Sequence, residues 1–226
     1  MEIPSVGEII CDEIRRRIFD GQYACGDRMN VDELARKLNT SKTPVREALG
    51  RLESEGLVSF KARMGWSVSS LSMEEFVEFL ELQCALRYFI SDSLLPFIDH
   101  IDFDLLNSIN RKLPQLKEEH KYHELIRQND LFHITIFSAY PNRLILRRLT
   151  EIDSIIRLQR VRFFEQERAK FPALADSAFI QHQEIIEALE SRDGERISEV
   201  SHRHHESLLD AFKSMSQGAS ERCSLL

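Results

Sequence analysis

At 226 residues, 42% of them apolar and 30% charged, the chain has a globular composition and room for one large domain or two ordinary ones. No run of about eighteen apolar residues occurs, which excludes a membrane helix, and Met1-Glu2-Ile3-Pro4 lacks the basic start and apolar block of a signal peptide. The net charge of −7 argues against nucleic acid only if it is spread evenly, and it is not. Residues 1–70 carry 11 Lys/Arg and 11 Asp/Glu, so the whole acidic excess falls on the remainder. Within 36–51, five basic side chains (Arg36, Lys37, Lys42, Arg46, Arg51) face one acidic residue, Glu47. A local patch is enough to meet phosphates, because screening confines its field to about 10 Å. The cysteines (Cys11, Cys25, Cys84, Cys223) have no paired spacing and read as reduced thiols of a cytoplasmic protein.

In chain order, Val6, Ile9, Ile10, Ile14 and Ile18 recur at helical spacing, and Asp20-Gly21 ends that helix. After a turn at Cys25-Gly26-Asp27, Asn30 is placed to cap a short helix, with Glu33 three residues on. A third helix begins near Ser41 or Thr43, tolerates Pro44 in its first turn, packs through Val45, Ala48, Leu49 and Leu52, and stops at Gly56. The period then changes to two: Val58 and Phe60, then Trp66 and Val68, read as a β-hairpin. Three helices and a hairpin over 1–70 make a winged helix-turn-helix, whose third helix enters the major groove. Its apolar face turns inward and leaves Lys42, Thr43, Arg46 and Glu47 at an N-terminal end suited to phosphate, with Arg46 able to grip a guanine edge.

The segments Asp32-Glu33-Leu34-Ala35-Arg36-Lys37-Leu38, Ser41-Lys42-Thr43-Pro44-Val45-Arg46-Glu47-Ala48-Leu49 and Leu52-Glu53-Ser54-Glu55-Gly56-Leu57-Val58 resemble the GntR family of bacterial regulators. That resemblance implies DNA contacts from Arg36, Lys42, Thr43 and Arg46, with Gly65 at the wing tip.

From Ser72, a cap with Glu75 in capping-box position, the pattern is helical to about Met215, with breaks at Pro96, Pro114, Pro141, Pro172 and Asp193-Gly194. The expectation is an all-α bundle of six or seven helices over 71–215 and a flexible tail over 216–226, so the whole chain is mainly α. Three inward stripes each carry a histidine: His133, with Asn129 one turn earlier, His182, and His204. Inward histidines on three helices read either as hydrogen-bonded core residues or as the ligands of a metal site of the kind bundles build, with His204 the better candidate because His202 and His205 lie off the centre of their stripe. A metal-dependent enzyme is the rival from another class, but HExxH is absent and Glu184 points away from the His182 stripe, so no enzyme is expected.

Asn129-Asp130-Leu131-Phe132-His133, Pro141-Asn142-Arg143-Leu144, and His182 with His204 resemble the FCD effector domain of the FadR subfamily. The resemblance implies a divalent metal held by Asn129, His133, His182 and His204, with a small carboxylate effector completing its coordination. Such a donor set suits Zn²⁺ or Ni²⁺. It also implies a homodimer on a double-stranded operator, as a repressor released by its effector. A regulator that senses the metal itself is the alternative. Two departures stand out: an amide at Asn129 where a carboxylate is more usual, and Gln83 where the family commonly has arginine. Arg87, Arg157 and Arg160 are the candidate anion partners in its place.

Overall fold

The computed structural model describes residues 5–166 and 171–223, the side chains at 163–174 and beyond 214 excepted. The chain forms two units: residues up to Leu71 together with Ser154–Phe163, and Ser72–Asp153 together with the residues from Phe164 on.

In the first unit, helix α1 (Val6–Phe19) starts from a reciprocal capping box between Ser5 and Glu8. It buries Ile10, Cys11, Ile14 and Ile18, whereas Val6 and Ile9, on the apolar stripe read from the sequence, are exposed. Strand β1 (Arg28–Met29) precedes α2 (Val31–Lys37), where Asn30 accepts hydrogen bonds from the backbone N–H groups of Asp32 and Glu33. Helix α3 (Lys42–Ser54) follows and packs through Val45, Ala48, Leu49 and Leu52. Gly56 ends this segment at φ +75°, and a Cβ there would stand 2.9 Å from the Ile155 side chain. Conformation and space therefore both demand glycine. Strands β2 (Val58–Lys61) and β3 (Gly65–Val68) form the expected hairpin, in register Val58↔Val68 and Lys61↔Gly65. The sheet has a third strand that the sequence pattern hid, because β1 is only two residues long; it pairs antiparallel with β3 to give the order β1-β3-β2.

The second unit is helical among the described residues. Helix α4 (Met73–Asp92) starts from the capping box of Ser72 and Glu75. A 3-10 turn at Leu95–His100 leads to α5 (Phe103–Glu118) and α6 (Tyr122–Phe137). Helices α7 (Arg143–Gln166), α8 (Phe171–Ser191) and α9 (Gly194–Cys223) follow, α7 running on into residues 154–163 of the first unit. Six α-helices and a 3-10 turn agree with the expected six or seven. Two boundaries differ. Pro114 sits inside α5, where the burial of Leu106, Ile109 and Leu113 offsets the roughly 3 kcal/mol that a proline costs a helix interior. Helix α9 continues to Cys223, past the start of the polar tail read at 216, and residues 224–226 lie outside the described residues.

Candidate metal centre and DNA-reading helix

Helix α3 presents Lys42, Thr43 and Arg46 to solvent from one side while Val45, Ala48, Leu49 and Leu52 bury the other. Ser41 stands at its N-cap without a side-chain capping bond to the helix, and the first turn carries no acidic residue. The leading N–H groups and the helix dipole thus remain available to an anion. Arg36 is exposed in the last turn of α2, and Lys42 forms a surface ion pair with Asp32 at 2.8 Å. The helix is tied down from behind. Arg15 of α1 grips Glu55 with two nitrogens, and the Glu53 carboxylate accepts from the Phe60 N–H at 3.1 Å. At the wing, Gly65 has φ +82° with open space around it, so the turn's conformation calls for glycine there and packing does not.

In the second unit, His133 (α6), His182 (α8) and His204 (α9) are buried together, with one donor atom of each within 4.8 Å of the others. The Nε2 atoms of His133 and His204 stand 3.3 Å apart. Two nitrogens bonded at about 2.05 Å to one tetrahedral ion would stand about 3.3 Å apart, so the pair already has the spacing of co-ligands. His204 Nδ1 meets Gln181 Oε1 at 2.9 Å, and the Gln181 amide nitrogen donates to Ser207 Oγ. That chain turns the glutamine oxygen toward the ring, places the proton on Nδ1, and leaves the Nε2 lone pair facing His133. The His182 ring stacks on Phe132 at 3.9 Å, which fixes its plane. Burial first, then the Arg87 charge and the neighbouring imidazoles, hold the His133 pKa well below its ordinary value. A neutral imidazole is the form that binds a metal. Three imidazole nitrogens brought together from three helices, with the His182 and His204 rings oriented, fit a borderline divalent ion. Asn129 lies one turn before His133 on α6 and is half-buried.

The candidate anion partners separate. Arg87 on α4 is 1% exposed, lies over the Phe137 ring at 5.5 Å, and donates through Nη2 to Asp153 at 2.9 Å. The departure at Gln83 resolves into the same cluster, since Gln83 is buried and donates to the same oxygen of Asp153 at 2.5 Å. Arg157 instead lies over the Phe19 ring at 4.7 Å in the first unit, which also contains the buried Arg160. Only Arg87 of the three belongs to the unit of the histidines. Glu184 pairs with Arg203 at 2.6 Å, away from the histidine group.

Sequence reasoning missed His205, Gln181 and Asp153. His205 is buried, its ring 5.1 Å from that of His133, because α9 packs against both α4 and α8. A single-stripe reading assumes one buried face. Asp153 is mostly buried on α7, with 13% of its side chain exposed, and carries no signal until its partners on α4 are known.

An exposed basic helix and wing, joined in one chain to a helical unit with a buried histidine triad, have the make-up of a DNA-binding regulator. Residues 7–68 match the gntR family of bacterial regulatory proteins and residues 78–207 match the FCD domain. The chain belongs to the GntR family, in its FCD-bearing FadR group, and is a transcriptional regulator. It is 24% identical to the HTH-type transcriptional regulator YdhC of Bacillus subtilis, over 86% of each chain. It is 27% identical to the gluconate operon transcriptional repressor of the same organism, over 93% of this chain and 86% of that one. Among solved structures, McbR/YncC of E. coli shares the fold at TM-score 0.79 and 19% identity, covering 94% of this chain and 99% of its own. A GntR regulator of Rhodococcus sp. RHA1 does so at 0.76 and 16%, covering 93% and 99%. No helix among the described residues is long and apolar enough to cross a membrane.

Proposed function

We propose that this regulator is a cytoplasmic repressor that binds a roughly palindromic operator as a homodimer and is released by a small carboxylate bound beside a divalent metal. The observation that carries this reading is the buried convergence of His133, His182 and His204 with oriented rings. In it, those three side chains and Asn129 hold the ion, which when bound supplies a Lewis-acidic position for an oxygen ligand. Arg87 supplies the positive charge that meets the effector. Arg36, Lys42, Thr43 and Arg46 contact the operator, and Gly65 lets the wing approach the backbone. Repression is supported by the gluconate operon repressor among its relatives. The effector acts only to the extent that it binds the DNA-competent and released conformations differently.

The test is a fluorescence-anisotropy titration of an operator complex, formed on DNA from upstream of its own gene, with small carboxylates before and after chelation of metal. Release by a carboxylate that requires the metal supports the reading. A complex indifferent to carboxylates, whose affinity follows metal loading alone, makes the protein a direct metal sensor instead.

A further inference from the structure

Helix α4 turns three polar side chains inward at one-turn spacing: Gln83, Arg87 and Ser91, all within 3% exposure. Their hydrogen bonding is incomplete. Asp153 takes Arg87 only through Nη2, and the accepting oxygen is shared with Gln83. Among the described residues, Arg87 Nε and Ser91 Oγ are buried without a hydrogen-bond partner. A guanidinium offers Nε–H and Nη2–H as a parallel fork that fits the two oxygens of a carboxylate. Asp153 meets one tine of that fork, and no described side chain meets the other. Leaving a buried charged donor unsatisfied is costly, so the arrangement is a poor end state for a structural ion pair.

We propose that Asp153 is a built-in counter-anion: it neutralises Arg87 in the free protein, and a carboxylate effector displaces it by taking the Nε/Nη2 fork, with Ser91 donating beside it. This rests on the carboxylate-responsive reading above and adds what sets its affinity. Every incoming carboxylate competes with an internal one, so binding is weaker than a buried arginine alone would allow. The displaced carboxylate stands on α7, immediately before residues 154–163 of the chain.

The experiment is calorimetric titration of full-length, Zn²⁺-loaded protein with acetate, lactate and succinate, comparing wild type, Asp153→Asn and the double variant Arg87→Met/Asp153→Asn. With the counter-charge gone and the shape kept, Asp153→Asn is expected to bind at least one probe about tenfold tighter or more. The double variant, free of both buried charges, is expected to keep its metal and to bind every probe more weakly than wild type. A merely structural role for Asp153 would lower affinity in the single variant. Unchanged or weaker binding by Asp153→Asn, or no binding of any probe by either protein, overturns the inference. If Asp153→Asn does not fold, the double variant decides, and wild-type affinity in it overturns the inference. Failure of the metal reading shows separately, as wild type that retains no Zn²⁺ by elemental analysis, and leaves the comparison between Asp153→Asn and wild type intact.

Discussion

The two units keep their functional side chains in opposite places. In the first, the residues assigned to DNA are on the surface and α3 packs beneath them through apolar side chains: Arg46 is exposed on α3 while Val45, Ala48 and Leu49 on the same helix are fully buried. In the second, the polar residues assigned to function are part of the core itself: Arg87, His133, His182 and His204 are all buried. In the first unit, function and stability are therefore separable by mutation. In the second they share the same side chains, because each buried polar group must find a partner or cost the fold several kcal/mol.

The largest effect is expected from cutting the core of the first unit. Leu49→Ala should cost about 2–5 kcal/mol in denaturant unfolding, and DNA binding should fall only in proportion to the unfolded fraction. A smaller effect is expected from the metal in the second unit. Zn²⁺ or Ni²⁺ at a hundredfold excess over its dissociation constant should stabilise the protein by about 2.7 kcal/mol. His182→Ala should abolish that gain and the bound metal together, as read by thermal unfolding and elemental analysis. If the metal-free protein gains nothing on adding either ion, the histidines are core packing and the contrast between the units weakens.

The acid limb gives the mildest test. The folded His133 pKa is depressed below its ordinary value of 6.5, so on acidification the unfolded chain takes up a proton that the folded one refuses. Stability of the metal-free protein should hold above about pH 6.5 and fall as pH drops below it. His133→Leu should flatten that decline in denaturation midpoints measured from about pH 7.5 to about pH 5.5. A decline of equal steepness in the variant would place its source elsewhere.

Legibility from sequence follows the same division. The first unit was readable because its signals are local: the Asn30 and Ser41 cap positions, the apolar spacing of α3, and the switch to period two at Val58. Only β1 escaped, since two residues have no periodicity to read. The histidine triad was legible because each member falls on an apolar stripe, where a polar residue stands out. What surrounds it was not. Gln83, Arg87 and Asp153 meet across 66 and 70 residues of sequence, and His205 is buried only because two helices flank α9. Such pairings are tertiary facts, with no trace in spacing along one helix.

The central claim, that α3 reads a specific operator, is tested most directly by anisotropy titration of DNA from upstream of its own gene against wild type and Arg46→Ala. Wild type should prefer that DNA over a scrambled duplex, and Arg46→Ala should lose about tenfold to a hundredfold of its affinity without losing thermal stability. Binding that is independent of sequence and unchanged in Arg46→Ala would contradict it.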